Sequence, residues 1–196
     1  MYNYRALALK LSYVTVAYNV LEGLVSVLFA VLAGSPALLG FGIDSFVESL
    51  SGLVMIWRFS HHAEDEHREQ TAIRLIGISL FILAVYVAYD AATALYYREP
   101  PERSIVGLII AAISLVAMPT LYILKCRTSA ALHSRSLATD AKQTLACAML
   151  SVGLLIGTGL NYTIGLWQAD PVAGLFIAAF LIREGYMAWK ERRLCC

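Results

Sequence analysis

The chain has 196 residues, of which 59% are hydrophobic and only 15% are charged, and its mean hydropathy is +0.68. This balance lies well outside that of a soluble domain and indicates an integral membrane protein. The formal net charge of +1 gives no electrostatic reason to expect a nucleic-acid partner.

Six apolar stretches are each long enough to cross a bilayer as a helix, which takes about 20 residues. Together they fill nearly the whole chain and predict an all-α integral membrane protein. We expect one transmembrane domain over residues 1–196 and no separate soluble domain. The predicted helices are Leu11–Leu32, Pro36–Trp57, Ala72–Tyr97, Ser104–Leu124, Leu137–Leu160 and Pro171–Trp189.

Basic residues in the connecting segments predict the orientation, because positive charge favours the cytosolic side of a membrane. They precede the first helix, separate the second from the third and the fourth from the fifth, and end the chain. Both termini should therefore be cytosolic, in a plasma or inner membrane. The residues are Arg5, Lys10, Arg58, Arg68, Arg74, Lys125, Arg127, Arg135, Lys190, Arg192 and Arg193.

The four cysteines, Cys126, Cys147, Cys195 and Cys196, have no zinc-finger spacing, and none lies in a predicted external loop. A reducing compartment keeps such thiols free. The sequence therefore predicts no disulfide bond.

Polar side chains recur within the predicted helices at steps of three and four residues, which places them along one helical face. Charged groups at bilayer depth are costly and face a cavity, a partner or an ion path. In the stretch GFGIDSFVES, residues 40–49, two carboxylates stand one turn apart in an otherwise apolar helix. The polar faces comprise Ser12, Thr15, Asn19, Glu22 and Ser26 in the first helix, Asp44, Glu48 and Ser51 in the second, and Ser136, Asp140, Gln143 or Thr144, Cys147 and Ser151 in the fifth.

The depth of each group follows from a rise of about 1.5 Å per residue. Counted from the outer helix ends, Asp44 lies roughly 12 Å deep, and Glu48 and Glu22 both roughly 18 Å deep. On the fifth helix, Cys147 and Gln143 share the level of this acidic pair. Asp140 comes out roughly 10 Å deeper, nearer the cytosol.

Two carboxylates with a thiol and an amide oxygen facing them suit a divalent cation, and a thiolate favours zinc. Without a cation, Asp44 and Glu48 would repel each other, so one or both would hold protons that metal binding expels. This chemistry is that of a proton-coupled exchanger. The alternative is that Asp44 and Glu48 only hydrogen-bond Ser or Tyr neighbours and hold the helices together.

The motifs resemble those of the cation diffusion facilitator family. GSPALLGFGIDSFVES is similar to the family's second helix, where a Gly-Ser turn precedes two ligands spaced four residues apart, here Asp44 and Glu48. TDAKQTLAC is similar to the fifth-helix pattern Ala-Asp-x-x-His-x-x-x-Asp. In this register Asp140 is the leading Asp, Gln143 takes the His position and Cys147 takes the final Asp position.

The resemblance implies a divalent cation transporter with six transmembrane helices and no resident cofactor. Zinc efflux by proton exchange is expected, and manganese, iron, cobalt or cadmium are alternative cargoes. The expected partners are the lipid bilayer, metal ions and protons, with a second copy of the chain as a candidate. The implied metal ligands are Asp44, Glu48, Gln143 and Cys147, with Glu22, Asn19 and Asp140 as accessory groups.

The chain also departs from the family pattern. The Gly-His-Gly-Lys run after the second helix is missing, and we expect a membrane-only member without the cytosolic C-terminal domain. Because Gln143 and Cys147 replace the usual His and Asp, a non-transporting zinc-binding or regulatory membrane protein of the same fold is the competing class. No catalytic motif is found, so an enzyme is not expected.

The segment SHHAEDEHREQ, residues 60–70, carries His61, His62 and His67 among acidic residues. Such a run could gather metal at the cytosolic mouth of the pathway. The alternative is a solvated helix extension with mixed charges, since the histidines lack a fixed ligand spacing.

Overall fold

The computed structural model describes residues 4–33, 36–60, 66–98, 105–166 and 168–190. Within those ranges the chain forms six α-helices and no strand, so the all-α prediction is confirmed. The helices are α1 (Tyr4–Ala33), α2 (Pro36–Ser60), α3 (Glu66–Tyr97), α4 (Ile105–Leu132), α5 (Arg135–Ile164) and α6 (Ala169–Trp189).

The bundle exposes many large apolar side chains on its outer surface. Among the described residues, α1 to α4 and α6 are each long and apolar enough to span a membrane. Large side chains such as Leu21, Ile82, Val116 and Phe176 are more than half exposed, as expected of positions that contact lipid. The chain is therefore a multi-pass membrane protein.

Helix α5 lies at the centre and packs against α2, α3, α4 and α6. It is also a polar helix, since Asp140, Gln143 and Thr144 in its first half are buried. Neighbouring helices can satisfy polar groups that would be costly against lipid. Ser134 caps the start of α5, where its hydroxyl accepts a hydrogen bond from the Leu137 N–H.

One end of the bundle carries a group of charged side chains that join α1, α2 and α3. Arg5 at the start of α1 donates to the Phe59 carbonyl at the end of α2, and Arg58 there pairs with Glu69 at the start of α3. We call this the basic end and the opposite one the far end. The sequence predicts that the basic end is cytosolic.

Helix α4 continues to Leu132, whereas the sequence predicts its end at Leu124. The prediction used the end of the apolar run, but no Gly or Pro follows until His133 leaves the helix with a φ of 51°. Lys125 was therefore assigned wrongly to a cytosolic loop. It lies inside α4 and its side chain is 0% exposed.

The prediction of no disulfide bond is also wrong, because Cys126 is disulfide-bonded. It rested on the spacing of the cysteines along the chain, their absence from the predicted external loops and the expected compartment. Cys147 is free and buried, as predicted. Cys195 and Cys196 lie outside the described residues.

Small residues let α1 and α2 approach closely. A Cβ atom on Gly42 would lie 2.8 Å from Val27 Cγ2 and 3.2 Å from the Gly23 carbonyl oxygen. Close approach through small residues is a common way to pack helices in membranes. Here it brings Glu22 of α1 beside Ser45 of α2, one residue from Asp44.

Gly42→Ala should lower the free energy of unfolding by about 1 to 3 kcal/mol, because the added methyl group overpacks this seam. The measurement is the thermal midpoint of the detergent-solubilised protein. Gly153→Ala is the matched control, since its Cβ would lie 3.6 Å from the Ala173 Cβ, an ordinary contact. Equal midpoints for the two variants would contradict this account of the seam.

Candidate metal site

Asp44 is buried without compensation. The residue is 2% exposed, and neither carboxylate oxygen has a hydrogen-bond partner of normal geometry. The Cys147 thiol of α5 and the Glu48 carboxylate are its polar neighbours. An unpaired carboxylate in this position needs a proton or a cation beside it.

Glu48 is satisfied on one side only. The Thr144 hydroxyl donates a hydrogen bond of 2.6 Å to Glu48 Oε1, whereas the buried Oε2 atom has no partner. Asp44 and Glu48 thus present three buried oxygen atoms that accept no hydrogen bond from a described hydroxyl, amide or cationic side chain. The alternative interpretation, in which Asp44 and Glu48 only hydrogen-bond Ser or Tyr neighbours and hold the helices together, does not account for these three oxygen atoms.

A cavity of about 110 Å³ gives Asp44 a route toward the far end. Its walls come from α2, α3, α5 and α6, and include Tyr86, Asp90 and Pro171. Pro171 lies in the first turn of α6, and Asp90 in the last two turns of α3. The cavity therefore runs from the far helix ends inward to Asp44.

The accessory candidates on α1 are held by neighbours. Glu22 accepts hydrogen bonds from Ser45 of α2 at 2.9 Å and from Tyr18 at 3.0 Å, and it is also bonded to Ser114 of α4. Asn19 donates to the Thr15 carbonyl, but its Oδ1 atom is buried without a partner. Glu22 ties three helices together beside the acidic pair.

The two predicted ligands on α5 face different neighbours. Cys147 is buried beside Asp44, as the depth estimate predicts. The Gln143 Oε1 atom instead accepts a hydrogen bond of 2.9 Å from Ser79 of α3, and its Nε2 atom has no partner. In this arrangement the amide oxygen of Gln143 is already engaged.

Asp140 belongs to a buried ion pair toward the basic end. Lys125 Nζ lies 2.8 Å from Asp140 Oδ2 and donates to the Thr144 hydroxyl at 2.8 Å. Ser51 of α2 donates to the other Asp140 oxygen at 2.6 Å. Because Thr144 in turn donates to Glu48, one hydroxyl links the Lys125 ammonium to the acidic pair.

A second polar cluster lies at the basic end. Glu69 of α3 accepts a hydrogen bond from the Ser136 backbone N–H at 2.8 Å and another from its hydroxyl at 2.8 Å. Arg58 Nε donates to the same carboxylate at 2.8 Å. The cluster joins α2, α3 and the start of α5, where a carboxylate is favoured by the helix dipole.

No group of three or more His, Cys, Asp and Glu side chains stands ready to hold a metal ion within the part of the chain that the structure describes. Asp44, Glu48 and Cys147 are neighbours, but a complete ligand shell would require them to move closer. His67 is exposed at the start of α3, while His61 and His62 lie outside the described residues.

Sequence reasoning missed Lys125, although its position contained a signal. Ser114, Met118, Leu121 and Lys125 recur at steps of four, three and four, so they share one face of α4. The first three are buried. Extending this buried face of α4 past the end of the apolar run would have placed Lys125 in the interior.

Comparison with known families gives an extended match. The sequence model of the cation efflux transmembrane domain matches residues 12–193. This range includes all the candidate site residues named above.

Three relatives match most of this chain at low identity. Transmembrane protein 163 of Xenopus laevis is 24% identical over 186 residues, which cover 93% of this chain and 66% of that protein. An uncharacterized transporter of Methanocaldococcus jannaschii is 24% identical, over 86% of this chain and 62% of its own length. A cadmium, cobalt and zinc/H(+)-K(+) antiporter of Bacillus velezensis is 25% identical, over 82% of this chain and 54% of its own length. The chain thus spans about two thirds or less of the relatives it matches.

Proposed function

Because the chain belongs to the cation efflux family, we propose that it carries divalent metal cations across a membrane in exchange for protons. The name of the Bacillus velezensis relative, a cadmium, cobalt and zinc antiporter, supports this cargo class. Family members are transporters rather than enzymes, which agrees with the sequence. We place the protein in the plasma or inner membrane.

The observation that carries the proposal is that, among the described residues, no hydroxyl, amide or cationic group satisfies the Asp44 carboxylate. Both of its oxygens are buried without a hydrogen bond from such a group, the Cys147 thiol is the neighbouring donor, and the carboxylate lies at the inner end of a cavity. A structural carboxylate is normally satisfied by its neighbours, as Glu22 is. An acid kept unsatisfied at the end of an access route fits a binding site for a mobile cation.

We propose Asp44, Glu48 and Cys147 as the metal ligands. Asp44 and Glu48 supply three unused oxygens, and Cys147 supplies a soft sulfur beside Asp44. A thiolate in the ligand set favours zinc and cadmium over harder ions. Gln143 can join only if its oxygen leaves Ser79.

Proton exchange follows from the same chemistry. In an apolar interior two adjacent carboxylates cannot both remain charged without compensation, so the site holds protons when no metal is bound. A cation needs ionised carboxylates and a thiolate. Metal entry should therefore expel protons, and metal release should take them up again.

Asp44→Asn and Glu48→Gln should each abolish zinc uptake and the accompanying proton movement, because a neutral amide cannot replace the lost charge. The measurement uses purified protein in liposomes that trap a zinc dye and a pH dye. Glu184→Gln is the matched control. Glu184 is also a buried carboxylate, but it lies on α6 near Lys142, and its replacement should leave both signals intact.

Retained zinc transport in both acidic-pair variants would refute the proposed site. Zinc flux without proton movement between about pH 6 and 8 would refute exchange. Zinc binding by wild-type protein that never transports would support the competing class, a zinc-binding or regulatory membrane protein.

Cys147→Ser should weaken zinc and cadmium binding far more than manganese binding, since a hydroxyl is a harder and less acidic ligand than a thiol. Equilibrium titration of each ion into detergent-solubilised protein measures the three affinities. Ser151→Ala, one turn further along the same face of α5, is the control, because the Ser151 hydroxyl already donates to the Cys147 carbonyl. Unchanged ion preference in Cys147→Ser would remove the thiol from the site.

A further inference from the structure

Lys125 is buried inside the bundle and has no role in the proposed transport cycle as described above. The Lys125 side chain is 0% exposed, as is that of its partner Asp140. Its ammonium contacts Asp140 Oδ2 and the Thr144 hydroxyl at 2.8 Å each. A buried ion pair is costly to form, and apolar residues of similar size often stabilise a fold equally well.

The contacts place the Lys125 charge in reach of the proposed metal site. Thr144 accepts from Lys125 and donates to Glu48 at 2.6 Å, so only one hydroxyl separates the ammonium from a proposed ligand. The contact to Asp140 is an ion pair without hydrogen-bond alignment. A flexible four-carbon stem lets the ammonium shift between neighbouring acids.

We infer that Lys125 is a tethered cation that competes with the transported metal for Glu48. This inference rests on the proposed function, because it assigns a competitor to that same site. At rest the ammonium is held by Asp140 and partly compensates Glu48 through Thr144. Asp44 is left for the incoming metal.

The position of Lys125 also makes it a barrier. A metal ion leaving Asp44 and Glu48 toward the basic end meets Lys125 and Asp140 at the next level of α4 and α5. Like charges repel, so the ion cannot pass while the ammonium stays in place. Movement of Lys125 away from Asp140 therefore accompanies each passage.

The test is a charge cycle at the ion pair, read by cadmium titration of the detergent-solubilised full chain at fixed pH. Lys125→Met removes the competitor, and Asp140→Asn releases it from its partner toward Glu48. The double variant removes both charges. Lys142→Met is the control, because Lys142 faces Glu184 at 4.0 Å on another side of α5.

The cadmium affinities of the two single variants should change in opposite directions. Lys125→Met should bind cadmium at least about tenfold more tightly than wild type, and Asp140→Asn at least about tenfold more weakly. The double variant should return close to wild type, and Lys142→Met should not change. If Lys125→Met does not fold, tighter binding by the double variant than by Asp140→Asn still decides the question.

Two results would overturn the inference. Unchanged affinity in both single variants would show that Lys125 does not compete for the site. Equal weakening in Asp140→Asn and in the double variant would instead make Asp140 a direct ligand. A failure of the proposed function would give a different result. Wild-type protein would then bind no cadmium, or the Asp44→Asn variant would bind cadmium as tightly as wild type does.

Discussion

An imbalance of charge in the interior of the bundle underlies the rest of the structure. Between α1, α2, α4 and α5, the described residues place four carboxylates, those of Glu22, Asp44, Glu48 and Asp140, and one ammonium, that of Lys125, which lies near Glu48 and Asp140. Hydroxyl groups satisfy Glu22, and Lys125 pairs with Asp140. Positive charge and hydrogen-bond donors are therefore lacking at Asp44 and at the Oε2 atom of Glu48. A mobile cation would be stabilised most at these two carboxylates.

The same arrangement distinguishes the two ends of the pathway. The cavity reaches Asp44 from the far end, whereas the ion pairs of Lys125 with Asp140 and of Arg58 with Glu69 lie toward the basic end. Helix α5 takes part in both clusters, through Asp140 in one and Ser136 in the other. A transport cycle that exposes the site to the basic end would have to rearrange the contacts of this central helix in both clusters.

The sequence was sufficient for the architecture because apolar length and polar periodicity report directly on contact with lipid. It also brought Cys147 to the level of Asp44, since helical rise is constant. It failed where contacts across helices decide the outcome: Gln143 turns to Ser79, and Thr144 rather than Gln143 reaches Glu48. Lys125 was missed because hydropathy marks the edge of the apolar run and not the end of the helix, and the Cys126 disulfide because spacing along the chain does not give distance in space.

Anomalous scattering from a cadmium complex is the most direct measurement of the central claim, that Asp44 and Glu48 with Cys147 bind the transported ion. The account predicts an anomalous peak between these three side chains, with Lys125 still on the side of Asp140, and no peak there in Asp44→Asn. A peak beside Asp140 in the place of the Lys125 ammonium, with none at Asp44, would contradict it.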